Sequence, residues 1–424
     1  MHLLSDIRRD ARHPKSRPGS YEWWYFDGIS EDGDYQVVII FYEGCPFSTR
    51  YIRSLEKDPK GEDAQAARHP AISISLYHKG EPIFYSLSEY PPEKCTFDEE
   101  TASVTVGENS FRFTERETHG SDGFGSYDLR INERLPSGDE LKGMLTFSGM
   151  DPNERLFAGI GKAQAAPSAQ TAPSAQTAPS AQTAPSASSA PSASSAPPAS
   201  SATSAATASG DDEPGHLWNL VMPRASMQCR INLLRNGLIV RELKFEGEGY
   251  HDHNLGSEPM RESFRDWYWG RVHFPHGTLV YYIMNKNGRD GSKKWVQDYR
   301  AWLISPDNRR LLYTLELTGF KKRTTNGFLL RPARRLRFKE KELEIEVRHK
   351  MVADSGPFYC RYISGAKLSH PALEPQVAAG IAEYIRPDRI HRRLYWPLVH
   401  MRLRYVDQKP HWVQKSPRLF RWTW

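Results

Sequence analysis

Met227-Gln-Cys-Arg-Ile-Asn-Leu-Leu-Arg-Asn-Gly237 decides the fold class. Met227, Cys229, Ile231 and Leu233 fall on one side of an extended chain, with polar residues between them. Asn236-Gly237 then offers the residue pair favoured in a two-residue hairpin turn. The same pattern runs outward in both directions. Upstream, Tyr35–Tyr42 is β-branched and aromatic, and Ile72, Ile74 and Leu76 alternate with serines before the Lys79-Gly80 turn. Val104 and Val106 pair through a turn with Phe111 and Phe113, and Tyr127, Leu129 and Ile131 lead through Pro136-Ser-Gly138 to Leu141–Phe147. Downstream come Val272–Phe274 and Leu279–Met284, then Leu311–Leu317, an Asn326-Gly327 turn, and Leu343, Ile345 and Val347 alternating with glutamates. Helix is scarce, with one short piece expected over Val377 to Ile385. Many short strands at near-regular spacing predict an all-β protein built as two tandem antiparallel barrels.

Composition agrees with a globular chain of two to three domains: 424 residues, 38% hydrophobic, 12% aromatic and 25% charged. No run of eighteen apolar residues is present, and Met1–Asp10 lacks an apolar signal core, so the expected location is cytoplasmic. Four widely spaced cysteines without a Cys-x-x-Cys pair argue against a zinc ribbon or a disulfide framework. No phosphate loop, nucleotide fingerprint or Ser-His-Asp order appears, so no cofactor is expected, and no nucleic-acid motif is present.

Residues 163–210 repeat Ala-Pro-Ser-Ala-Gln-Thr and its variants without charge, aromatic or large aliphatic side chains. Such a segment cannot offset its ordering entropy by burial, so a disordered insertion is expected. From Arg386 onward, ten Lys/Arg stand against two Asp/Glu, net +8 in a chain of +6 overall. That basic end also carries Trp412, Phe420, Trp422 and Trp424. Its composition suits peripheral contact with the inner face of an anionic membrane, and equally a solvated exterior with a frayed tail.

The densest chemistry is Tyr250-His-Asp-His-Asn254, after the glycine-punctuated Phe245–Gly249 and before Phe264–Trp269. In a strand, Tyr250 and Asp252 share one face and His251 and His253 the other. A carboxyl beside a phenol and under tryptophans is a candidate acid. The competing reading is an Asx turn at Asp252. His251 and His253 have metal-ligand spacing but no obvious third ligand, so no metal is expected. Trp23, Trp24 and Tyr25 read either as a barrel plug or as substrate contacts. Glu22 and Asp27 beside them are expected to be ion-paired with an arginine.

Gly19-Ser-Tyr-Glu-Trp-Trp-Tyr-Phe-Asp-Gly28, His216-Leu-Trp218 with Pro223, and Gly249–Gly256 together resemble the carotenoid 1,2-hydratase (hydroxyneurosporene synthase) family of two-domain lipocalin-like proteins. The resemblance covers roughly residues 18–405 apart from the repeat. It implies an N-terminal segment over 1–17, a first lipocalin-like barrel over 18–258 containing the insertion, a second over 259–407, and a basic aromatic tail over 408–424. It places the family's acid on Asp252 and its supporting Tyr, His and Trp on Tyr250, His216 and Trp218. Trp24, Tyr25, Trp267, Trp269, His253 and Asn254 then form the expected substrate-binding set. Tyr51–Lys57 departs from the hydratase pattern and leaves the carotenoid substrate itself open.

The implied reaction is hydration of a terminal isoprenoid double bond of an acyclic carotenoid or similar terpenoid. A carboxylic acid kept protonated by burial protonates the alkene, aromatic faces hold the carbocation, and water activated by His216 adds. The alternatives are a lipid or pigment carrier using the same pocket, and a cyclase or Diels–Alderase-like pericyclase. A hydrophobic isoprenoid or polyene is the partner in every case.

Overall fold

The computed structural model describes residues 2–116, 124–150, 215–287, 295–322, 328 and 330–423. The repeat and the Asn326-Gly327 turn lie outside them. The first sheet uses β1 (His2–Leu4), β2 (Tyr21–Ser30), β3 (Tyr35–Glu43), β4 (Ala71–His78), β5 (Glu81–Glu89) and β6 (Cys95–Phe97). It continues with β7 (Ser103–Val106), β8 (Asn109–Arg116), β9 (Phe124–Arg134), β10 (Asp139–Met150), β11 (His216–Arg235) and β12 (Leu238–Gly256). The second uses β13 (Phe264–His273), β14 (Thr278–Asn287), β15 (Trp295–Ile304), β16 (Leu311–Thr314) and β17 (Glu316–Lys322). Its remaining strands are β18 (Ala333–Glu340), β19 (Leu343–Ser355), β20 (Tyr359–His370) and β21 (Leu373–Ile385). A last strand, β22 (Leu403–Tyr405), returns to the first sheet beside β5. The helices are short: α1 (Thr49–Lys57), α2 (Met260–Ser263), α3 (Trp396–Arg402) and α4 (Pro417–Trp422).

The hairpins follow their turn chemistry. Asn236 and Gly237 (φ 50° and 81°) join β11 to β12, and Lys79 and Gly80 (φ 53° and 80°) join β4 to β5. Pro223, which cannot donate to the ladder, falls where the β11–β12 register shifts between Met222 and Ala225.

The first sheet runs β22-β5-β4-β3-β2-β12-β11-β10-β9-β8-β7-β6 and stays open, with β1 parallel to β11. The second closes. β16 and β17 are one bent strand: its first half pairs with β15 and its second half with β18, with Leu315 bridging to the Ala301 carbonyl. That joins the two ends of the order β15-β14-β13-β21-β20-β19-β18 into an eight-stranded antiparallel barrel. The all-β, lipocalin-like reading is therefore the observed fold. The helix expected over Val377–Ile385 is instead part of β21. Held between β13 and β20, its last six residues are buried, and a strand there satisfies backbone groups on both sides.

Alternation on β13 shows how the sheets meet. Tyr268 and Val272 point into the barrel with Leu279, Tyr281 and Phe338. Trp267 and Trp269 point outward and join Trp23, Tyr25, Tyr250 and Tyr282 in the core shared with the first sheet. Arg271, on the same outward face, donates from Nε to Asp27 of β2 at 2.8 Å, both side chains fully buried. The ion pair expected for Asp27 is thus a bridge between the sheets.

The basic end is folded rather than frayed. Phe420 packs on Tyr85, and Gln414 donates to the carbonyls of His400 and Leu403. All four cysteines are free. No helix among the described residues is long and apolar enough to cross a membrane.

Candidate functional site

β2 and β12 pair with Asp252 opposite Tyr25, and β11 and β12 with Trp218 opposite Asn254. Alternation then sorts the side chains by face. Trp23, Tyr25, Asp27, Tyr250, Asp252 and Asn254 look toward the second sheet. Glu22, Trp24, Phe26, His251 and His253 look into the hollow of the first.

The outer face builds a carboxyl site. The buried Asp252 Oδ2 accepts from Tyr250 Oη at 2.6 Å and from the Trp218 indole Nε1 at 2.8 Å, and Oδ1 accepts from Asn254 Nδ2 at 2.9 Å. Among the described residues no cation touches it. Burial pushes the Asp252 carboxyl up to about 7. The Tyr250 and Trp218 donors resist that rise, and the charges of Asp27 and Glu383 add to it. A carboxylic acid still substantially protonated at neutral pH is the result.

Asp252 and Asn254 form part of the wall of a cleft enclosing about 1030 Å³, its mouth included. Trp23, Tyr25, Trp267, Trp269 and Tyr282 make the aromatic lining around it. Tyr25 and Trp269 meet edge to face at 4.8 Å, and Trp269 lies 5.2 Å from Tyr250. The far wall comes from β20, β21 and α3, with Tyr359, Arg361, Glu383, Val399 and Arg402. The cleft therefore lies between the sheets, against the outside of the closed barrel, and not inside a barrel.

The expected residues separate accordingly. Asp252, Tyr250, Trp218, Asn254, Tyr25, Trp267 and Trp269 come together here. Trp24 and His253 do not: the strand period turns them to the opposite face, where Trp24 stacks on His253 at 4.6 Å and donates to the Asp10 carbonyl at 2.8 Å. His216 is near but set back from the cleft wall. Its Nδ1 meets Tyr21 Oη at 3.1 Å, and its ring lies against Trp23 and Phe264. Burial presses its pKa down to about 3, which leaves a neutral imidazole of low basicity.

The inner face holds a charge network that sequence reading missed. His253 Nε2 meets Glu22 Oε1 at 2.8 Å and its Nδ1 lies 3.2 Å from Asp10 Oδ1. His251 Nε2 and Tyr127 Oη meet Asp10 Oδ2 at 3.0 and 2.6 Å. Burial alone would lower His253, but Asp10 and Glu22 hold it up at about 9. Against the same burial effect, His251 and His253 hold Asp10 down at about 2. His13, Glu22 and His253 bring ligand-type atoms within 4.8 Å of one another. Glu22 there already receives the Lys15 ammonium, both imidazoles and the His13 backbone N–H, so the group is complete as an ionic cluster.

Also missed were Tyr282, Arg361 and Glu383. Trp23, read as a barrel plug or a substrate contact and left out of the substrate-binding set, shares its face with Tyr25 by simple alternation and lines the cleft. Leu279–Met284 is apolar on both sides, so nothing marked Tyr282 as outward.

Two curled antiparallel sheets around a buried, neutral-leaning carboxyl in an aromatic cleft define a lipocalin-like protein. An AttH-like protein of Nitrosomonas europaea has the same fold, with a TM-score of 0.50 at 15% identity over 90% of this chain and 97% of that one. The family model for carotenoid hydratase CrtC matches residues 197–413, half of the chain. The chain belongs to that family of hydratase-type enzymes. A hydroxyneurosporene dehydrogenase of Chlorobaculum tepidum is 25% identical over 93% of this chain and 90% of its own length. An acyclic carotenoid 1,2-hydratase of Thiocapsa roseopersicina is 24% identical over 68% of this chain and 54% of its own.

Proposed function

We propose that this protein adds water across a terminal trisubstituted double bond of an acyclic carotenoid or a similar isoprenoid, with Asp252 as the proton donor. The observation that carries this reading is a buried carboxyl, with no cation beside it among the described residues and held near 7, on the wall of an aromatic cleft. Oδ2 already receives two donors and Oδ1 one, so the acidic proton belongs on Oδ1. Protonation of the alkene forms a tertiary carbocation and leaves a carboxylate. Tyr250, Trp218 and Asn254 are in place to stabilise that new charge, and Trp23, Tyr25, Trp267 and Trp269 present electron-rich faces to the cation. Trp24 and His253 serve the scaffold beneath, and His216 buttresses Trp23.

The test is to incubate the purified protein with an acyclic carotenoid in detergent and analyse the extract by mass spectrometry. Gain of one water is expected, and it should vanish in Asp252→Asn. Stoichiometric binding with unchanged pigment would overturn the proposal in favour of a carrier, and a cyclised isomer in favour of a pericyclase.

Such substrates dissolve in bilayers, and the basic end is built to meet one. Trp412 and Trp422 are 65% and 83% exposed beside Lys415, Arg418 and Arg421, on the segment that follows cleft-lining α3. Replacing both tryptophans by serine should lower co-sedimentation with anionic vesicles several-fold. Unchanged partitioning would remove the membrane role.

A further inference from the structure

Hydration needs a second group, one that takes a proton from the attacking water, and His216 is poorly suited to the task. It is absent from the cleft wall and its basicity is low. The cleft contains a better candidate. Glu383 on β21 lies directly across the ladder from Trp269 on β13 and from Arg361 on β20, facing the first sheet. It lines the same cavity as Asp252. Its Oε1 accepts from Tyr359 Oη at 2.7 Å and from Arg361 Nε at 3.0 Å. Arg361 is itself fixed by Tyr77 Oη at 2.9 Å. Both partners act on one oxygen. Oε2 makes no hydrogen bond among the described residues, although the residue is only 6% exposed.

We propose, resting on the hydration reading above, that Glu383 is the catalytic base that orients the attacking water and takes its proton. The two carboxyls divide the work by surroundings. Among the described residues Asp252 has only neutral donors and keeps its proton. Burial also pushes the Glu383 carboxyl up, but Arg361 and Tyr359 oppose that rise, and the Arg361 ion pair favours the carboxylate. Asp252 delivers its proton to the less substituted alkene carbon, forming a C–H bond. A lone pair of the water held at Glu383 Oε2 then forms the C–O bond at the cation. The surplus proton passes to Oε2, which gives the alcohol. Return of that proton to Asp252 through solvent restores both groups, so the sum is alkene plus water.

Deuterium separates the two roles. In D2O, Glu383→Gln should still deliver a deuteron from Asp252 to lycopene. A cation that then loses a different hydrogen to the Asp252 carboxylate, from the same carbon after rotation or from an adjoining methyl, leaves deuterium in the recovered alkene or its methylene isomer. Hydrated product should fall at least about 100-fold. Glu383→Asp keeps the carboxylate and should recover part of the hydration, and melting curves of both variants guard against loss of fold. Hydration by Glu383→Gln at the wild-type rate would overturn the proposal and leave the Asp252 reading untouched. So would a folded variant that has lost exchange and hydration together. Absence of both reactions from the wild-type protein would instead reject the hydration reading itself.

Discussion

Asp252→Asn should abolish turnover while making the protein more stable, and the second half of that statement is the sharper test. The substitution is nearly isosteric. The amide oxygen can keep the Tyr250 and Trp218 hydrogen bonds, and Asn254 can turn its own amide to accept from the new NH2. What disappears is a carboxyl held near 7 against an ordinary 3.8. An acid whose folded pKa is raised binds more protons folded than unfolded, so stability falls as pH rises between those values. The full cost, about 4 kcal/mol as an upper bound, is present above about pH 7 and absent below about pH 4. In urea unfolding at about pH 8, the variant should exceed wild type by a few kcal/mol, and the gap should close toward acid pH. Turnover should drop by about 10²–10⁴-fold. A variant that retains turnover, or that is less stable than wild type at alkaline pH, would show that Asp252 is neither strained by ionisation nor the acid.

Trp218→Phe removes a donor that favours the carboxylate, so the acid should weaken further. The alkaline fall in kcat/KM, expected near pH 7 in the wild type, should move to higher pH, and an unmoved limb would separate Trp218 from the acid. Asp10→Ala strips partners from His251, His253 and Tyr127 and should cost about 3–5 kcal/mol in chemical unfolding. His253, held at about 9 against 6.5, contributes stability that is complete below about pH 6.5 and lost as pH rises through about 9. Unfolding measured at about pH 6 and about pH 10 should show that loss in wild type and a smaller one in Asp10→Ala, where Glu22 alone still holds the imidazolium.

The strands and their turns were legible because period-two alternation and pairs such as Asn236-Gly237 are local signals. Alternation also placed Tyr250 with Asp252 on one face. It could not say which face meets a cavity, and so Trp24 and His253 were grouped with Tyr25, although neighbouring residues in a strand point oppositely. Glu383 was hidden for a different reason. Val377, Ile381 and Ile385 repeat every four residues and suggest a helix, whereas pairing with β13 and β20 makes the segment a strand. Asp10 lies far from any motif, and only the hollow of the first sheet brings it to His251 and His253.

The Asp27–Arg271 bridge has a consequence for how such a site can change. The two walls of the cleft belong to separate hydrogen-bonded ladders, and this fully buried pair ties one to the other. Substitutions around that tie can slide or tilt one wall over the other while every ladder bond survives. Cavity shape is then adjustable without rebuilding either half. If hydration proceeds through a cation as proposed, one scaffold can in this way drift from quenching it with solvent to folding it on itself.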